Sequence, residues 1–227
     1  MLKKVIGALF GGSCFICRGS AQQILCAACD ADLPRLPAAL CPRCALASPG
    51  GALCGRCLAQ PPHYDGTVAA LAYAFPADAL VHAFKFRGEL ALAPLLAGLL
   101  AARLPALQSV DCVIPVPLSA KRLASRGYNQ AAELARHLAR AARVRLEATL
   151  CERRRDTPAQ SDLPWAERSR NVRGAFAAVR SIPGASIAVI DDVMTTGATL
   201  DEIAASLKRA GAARVVNWVV ARTLPPN

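Results

Sequence analysis

Two groups of residues in this 227-residue chain have types and spacings that could do chemistry. The first is a run of four C-x-x-C pairs: Cys14/Cys17, Cys26/Cys29, Cys41/Cys44 and Cys54/Cys57. Thiolates two residues apart in a tight turn can share a tetrahedral zinc ion, and a second such turn completes the coordination. Four pairs therefore supply ligands for two structural zinc ions. Pairing first with second and third with fourth closes the shortest loops, and an interleaved arrangement stays open. The even count also permits a disulfide framework. Against it, the apolar run at residues 5–10 is short for a secretory signal and no A-x-A-like site follows, which points to a reducing, cytoplasmic setting. Cys112 and Cys151 stand alone and read as ordinary packed or surface residues.

The second group is the stretch VIDDVMTTGATL, residues 189–200. Asp191 and Asp192 end an apolar run, and Thr195, Thr196, Gly197, Ala198 and Thr199 form a turn into a helix. The N–H groups and dipole of a helix start favour a phosphate, hydroxyls add donors, and Gly197 allows close approach. Two carboxylates beside that cradle would repel a phosphate ligand unless they met hydroxyls or a divalent cation. A ribose 5-phosphate carrying a magnesium-bound pyrophosphate satisfies both demands.

These groups need elements to hold them. After a linker at residues 58–66, TVAALAYAF reads as a strand, residues 77–86 as a short helix and residues 91–104 as another. CVIPVPL is a buried strand that should end near Pro115, because proline cannot donate to a ladder. Residues 129–142 carry an apolar stripe through Leu134 and Leu138 with Arg136 and Arg140 on another face. SIAVI reads as a strand, TLDEIAASLKRAG as a helix with a Thr199/Glu202 capping box and a Gly211 stop, and RVVNWVVAR as a strand. Strands alternating with helices imply an α/β fold, a mostly parallel sheet flanked by helices, with ligands outside the strands' carboxyl ends.

No apolar run reaches the roughly 18–20 residues of a membrane span, so no membrane insertion is expected. The formal charge is +11, and residues 118–180 hold fourteen Lys and Arg against six Asp and Glu. A basic field of this kind favours polyanions, whether nucleic acid or a phosphorylated small molecule. Aromatics are only 5% of residues, and no aromatic-basic stripe stands out as a stacking platform.

The apolar strand, acid pair and T-T-G-A-T loop resemble the phosphoribosyl pyrophosphate (PRPP) motif of the type I phosphoribosyltransferases. With the four C-x-x-C pairs, VIPVPLSAKRLASRGYNQ and TPAQSDLPWAERSRNVRGAF, the chain is similar over nearly its whole length to the ComF/GntX family of competence-associated proteins. The resemblance implies a double zinc ribbon over residues 1–60 and a phosphoribosyltransferase-like domain over 61–227, each with a core of its own. It places Asp191 and Asp192 at the ribose hydroxyls as the catalytic pair, and residues 195–199 at the 5-phosphate. Lys121, Arg122 and Arg126 fall in the pyrophosphate-binding region. Residues 153–174, with Thr157, Gln160 and Arg168, correspond to a mobile loop, and Lys85 within FKFRG to a hood over the acceptor. His63, His82 and His137 lie away from the motif in sequence.

Two functions follow from the resemblance. One is Mg²⁺-dependent transfer of a phosphoribosyl group to an acceptor, with PRPP as ligand and zinc as structural metal. The other is a non-catalytic competence protein that binds single-stranded DNA, uses PRPP as a ligand and meets proteins of the competence machinery.

Overall fold

The structure, a computed structural model, describes residues 12–104, 109–156 and 171–225. The chain opens with two zinc-ribbon turns. In the first, β1 (Gly12–Ser13) pairs antiparallel with β2 (Ser20–Ala21), and α1 (Ala27–Ala31) starts at its N-cap Cys26 and carries Cys29. The other ribbon ends in α2 (Gly55–Ala59), which starts between Cys54 and Cys57.

The sheet consists of β3 (Gly66–Ala72), β4 (Cys112–Pro115), β5 (Arg145–Leu146), β8 (Ser186–Met194) and β9 (Arg214–Arg222), in the order β3-β9-β8-β4-β5. All four pairings are parallel. Sheets of this kind are covered on both faces, which is why β8 and β9 read as near-continuous apolar runs. As expected, β4 stops at Pro115. β8 does not stop at Ile190: β9 pairs with it as far as Met194↔Arg222, so both aspartates lie within the strand. Between β5 and β8 in sequence, β6 (Cys151–Arg153) and β7 (Phe176–Ala178) form a separate antiparallel pair.

The helices are α3 (Ala77–Phe86), α4 (Ala93–Ala101), α5 (Ala120–Arg126), α6 (Gln130–Ala142) and α7 (Ala198–Arg209). Asn129 caps α6 by accepting from the Ala132 N–H, and the helix buries Leu134 and Leu138 while Arg136 and Arg140 stay exposed. α7 departs from expectation at its start. Gly197, in the left-handed region at φ 85°, is the N-cap, with Thr199 already inside the first turn. The sharp strand-to-helix turn requires a left-handed residue, and this moves the helix start ahead of the Thr199/Glu202 capping box. Glu202 instead accepts from the Gly174 N–H at 2.9 Å. At the other end Gly211 does stop the helix, its N–H returning to the Lys208 carbonyl at 3.0 Å.

Two buried clusters hold the molecule together. One joins α3, α4 and α6 to Cys14, Leu25, Cys29 and Leu33 of the first ribbon. The other joins α7 to Cys41, Cys44, Cys57, Tyr64 and Met194. Each ribbon thus shares its core with the sheet layers instead of closing on a core of its own, because so short a segment has too few large apolar residues to bury. The expected linker is also anchored. Tyr64 is buried, and Asp65 exchanges two hydrogen bonds with the Val215 backbone, at 2.7 and 2.8 Å. Residues 34–36 lie along the edge of β3, with Ala72 N–H donating to the Pro34 carbonyl at 2.7 Å and Leu36 N–H to Ala70 at 3.3 Å. Among the described residues no helix is long and apolar enough to cross a membrane.

Candidate functional site

The acid pair sits at the carboxyl end of β8, where a parallel sheet presents its ligand sites. Asp192 is buried and holds the Lys85 ammonium through both carboxylate oxygens, at 3.0 and 2.9 Å. Lys85 comes from the last turn of α3. Its carbonyl accepts from Gln130 Nε2 at 3.1 Å, and Gln130 Oε1 accepts from Arg126 at 3.1 Å. The Tyr128 hydroxyl donates to the neighbouring Phe84 carbonyl. The start of α6 therefore aims the lysine, and Arg126 is tied to the acid pair through two intermediates. Lys121 and Arg122 lie in the first turn of α5, the former exposed and the latter half-buried.

Two adjacent carboxylates share one cation here, and their ionisation reflects it. Burial raises the Asp191 carboxyl to about 7, with the charge of Asp192 adding and Lys85 opposing. Burial acts against the Lys85 ammonium, but Asp192 and Asp191 outweigh it and lift its pKa above the ordinary value.

Beyond Met194 the backbone turns through Thr195, Thr196 and Gly197 into α7. The Ala198 N–H donates to Thr196 Oγ1 at 3.1 Å, and Gly197, as the N-cap, gives the helix start no side-chain hydrogen bond. A Cβ at Gly197 would lie 2.7 Å from Met194 Cε and 3.0 Å from Tyr64 Oη, side-chain ends that would have to shift, while the φ of 85° itself favours glycine. Two arginines brace this turn. Arg222, buried at the end of β9, donates to the carbonyls of Met194 (2.9 Å), Thr195, Thr223 (2.9 Å) and Cys44 (2.9 Å). Arg56, between the last two ribbon cysteines, donates to the Thr196 carbonyl at 2.7 Å. His63 reaches Asp201 in the first turn of α7, its backbone N–H at 2.6 Å and Nδ1 at 3.1 Å from Oδ1.

The structure thus brings Asp191, Asp192, Lys85 and the 195–199 turn together, with Arg126 linked behind them. Gln160 and Arg168, with Thr157, lie outside the described residues. Sequence reasoning missed Arg56, Arg222, Tyr64 and Gln130, and set His63 apart from a helix that it touches. A charged residue closing the apolar run of β9 was a readable signal for Arg222. The other contacts bridge up to 140 positions in sequence and left no local sign.

The eight clustered cysteines form two groups, Cys14/Cys17/Cys26/Cys29 and Cys41/Cys44/Cys54/Cys57, with sulfur atoms within 4.8 Å of one another in each. Pairing is therefore consecutive. The Sγ–Sγ distances of 3.8 Å for Cys17–Cys26 and 3.6 Å for Cys44–Cys54 match the edge of a tetrahedron with Zn–S near ~2.3 Å, about 3.8 Å. All ten cysteines are free thiols, the lone Cys112 and Cys151 buried. The donor sets fit zinc. For magnesium, the acid pair offers the one or two carboxylates that this ion commonly takes alongside ligand phosphates.

Two concavities lie elsewhere. One, of about 370 Å³, includes Asp111, Arg145 and Arg180 at the amino ends of β4 and β8, away from the acid pair. The other, of about 460 Å³, is lined by Phe15, Arg18, Tyr73, Phe75, His82 and Arg87. Phe75 is 71% and Phe86 58% exposed, and Arg126 lies 5.2 Å over the Phe86 ring. Folding thus sets aromatic and basic side chains from separate parts of the sequence side by side.

The double zinc ribbon domain family matches residues 5–58, and the phosphoribosyl transferase domain family matches residues 123–223. The DNA utilization protein YhgH of Escherichia coli O6:H1 is 36% identical over 223 residues, covering 94% of this chain and 98% of that protein. Competence protein F of Haemophilus influenzae is 33% identical over 231 residues, with the same coverage of 94% and 98%. Among solved structures, the glutamine PRPP amidotransferase of B. subtilis is 22% identical with a TM-score of 0.40, covering 57% of this chain and 26% of that one. TT1426 from Thermus thermophilus is 20% identical with a TM-score of 0.35, covering 60% and 84%.

Proposed function

The chain belongs to the family of competence protein F and DNA utilization protein YhgH, and from the match of residues 123–223 to the phosphoribosyl transferase domain we propose that it binds PRPP at the carboxyl end of β8 and transfers the phosphoribosyl group to an acceptor. One observation carries the reading: two residues past the acid pair the chain enters the Thr195–Thr196–Gly197 turn at the start of α7, while Lys85 neutralises Asp192. The lysine answers the repulsion problem, since a polyanion approaching two unpaired carboxylates would be rejected. In this arrangement Asp191 accepts from the ribose hydroxyls, the turn binds the 5-phosphate, and the basic first turn of α5 faces the pyrophosphate. Mg²⁺, when bound with PRPP, supplies charge neutralisation of the leaving pyrophosphate. The chain's own part is to position the sugar, hold the phosphates and exclude water.

The test removes both carboxylates, Asp191→Asn with Asp192→Asn. Charge alone predicts tighter binding of PRPP, because repulsion is relieved. The site reading predicts weaker binding, since a hydrogen bond to a charged acceptor is worth about 1.5–3 kcal/mol, or more than tenfold in affinity. Calorimetric titration with PRPP and saturating Mg²⁺ decides the sign, on a variant with wild-type melting temperature. Unchanged or tighter binding would reduce the pair to a strand-end turn.

A second reading rests on a separate observation, the groove lined by Phe15, Tyr73 and Phe75 with Arg18 and Arg87. Aromatic faces among arginines suit single-stranded DNA, with bases stacked on the rings and phosphates against the cations. The names of the relatives agree with a role in DNA handling. The groove and the PRPP site are separate in residues, so both ligands can be accommodated in a cytoplasmic competence protein.

A further inference from the structure

Arg222 is a fully buried guanidinium, and among the described residues no carboxylate pairs with it. What surrounds it is a set of carbonyls and the second cysteine group. Its Nε binds the carbonyl of Cys44, a ligand of that group, at 2.9 Å. Its Nη1 gathers the carbonyls of Met194 and Thr195 on the way into the phosphate turn. Arg56, placed between Cys54 and Cys57, takes the next carbonyl, that of Thr196, at 2.7 Å. Three consecutive carbonyls of the turn are thus held by two arginines, each anchored on the second ribbon.

A trans peptide is planar and points its N–H opposite to its C=O. Fixing the carbonyls of Met194, Thr195 and Thr196 toward the ribbon therefore aims the N–H groups of Thr195, Thr196 and Gly197 away from it. Those are the amides that a 5-phosphate would use. Four thiolates around one Zn²⁺ carry a net charge of minus two, a counter-charge for a buried arginine that would otherwise be expensive to hold in this place. The first cysteine group belongs to the opposite core cluster, with α3, α4 and α6.

We infer that the second zinc centre, through Arg222 and Arg56, orients the amides of the phosphate turn, so that an intact second ribbon is a condition for binding the phosphorylated ligand. Both arginines are positioning residues. The inference rests on the PRPP reading of the turn, and its test separates the two.

The leading variant is Arg56→Ala, because Arg56 is exposed and its loss leaves the core intact. Calorimetry with PRPP and Mg²⁺ on the full chain should show affinity at least tenfold weaker, with two zinc ions per chain and an unchanged melting temperature. Arg56→Lys, which keeps a donor for the Thr196 carbonyl, should recover part of that loss. Arg103→Ala removes another exposed arginine, one that donates to the Pro37 carbonyl at 3.1 Å, and should bind as wild type. Equal weakening in Arg103→Ala would mean that PRPP senses only net charge, and unchanged binding in Arg56→Ala would also overturn the inference. If the wild-type protein itself fails to bind PRPP, the PRPP reading falls, and hydrogen exchange then decides the inference alone. Amides 195–197 should exchange faster in Arg56→Ala and in Cys54→Ser, and equal rates in Arg56→Ala would overturn it.

Discussion

At the scale of single residues, the unusual group is Asp191. It shares one lysine with Asp192, and burial holds its carboxyl near 7 in the folded protein, against ~3.9 unfolded. A carboxyl raised by folding contributes stability below its unfolded pKa and loses it as pH rises through the folded pKa. Ligand-free wild type should therefore lose stability between pH 5.5 and about 7 relative to Asp191→Asn, then run parallel to it above that range. The relative loss over that window should be about 2 kcal/mol, or roughly 4–8 °C in melting temperature. Melts at half-unit pH steps measure it, starting at 5.5 so that protons do not displace zinc from its thiolates. Parallel curves across the whole range would mean that Asp191 ionises as an ordinary carboxyl. The same residue is where PRPP would act: a hydroxyl or magnesium partner would favour the charged form, so PRPP with Mg²⁺ should release protons at neutral pH.

Among the elements, α3 does the most with the fewest residues. Its last turn sends Lys85 inward to Asp192 and leaves Phe86 outward beside Arg126 and His82, whose ring centroid is 4.9 Å from that of Phe86. Consecutive residues on a helix diverge by about 100°, so one turn can face the acid pair and the surface beside the groove at once. Phe75, just before the helix, is the most exposed ring of that groove. Phe75→Ala should weaken binding of a short oligothymidylate about tenfold, since stacking is worth about 1–3 kcal/mol per base, without changing the salt slope, because no charge is removed. Fluorescence anisotropy across a salt series reads both quantities. Wild-type affinity in the variant, or no binding by the wild type at low salt, would remove the groove as a DNA site.

For the whole molecule, the two cysteine groups are built into the two core clusters, and so zinc and sheet should stand or fall together. Structural zinc supplies on the order of 10–16 kcal/mol of apparent binding energy in small zinc peptides. Chelation should therefore lower the melting temperature of the chain as a single transition. Calorimetry that instead shows a residual transition at the original temperature would reveal an α/β layer stable without its ribbons. Reading the C-x-x-C pairs alone suggests a detachable module. The bonds from residues 34–36 to β3, and from Arg222 to Cys44, argue against that.

Local chemistry was legible in the chain itself. The thiolate spacing, the acid pair with its glycine-containing turn, the α6 stripe and the end of β4 at Pro115 each depend on residues a few positions apart, where stereochemistry alone restricts the outcome. The start of α7 was misread because a capping box and a left-handed glycine compete for the same turn, and the paired length of β8 against β9 favours the glycine. The partners of the site lay beyond local reach. Lys85 meets Asp192 across 107 positions, Arg56 meets Thr196 across 140 and Arg222 meets Cys44 across 178. Such pairs are chosen by strand order and by which face of the sheet each ribbon covers. Tertiary structure decided them, because a charge or a carbonyl buried in the interior must find its partner among whatever the fold brings near.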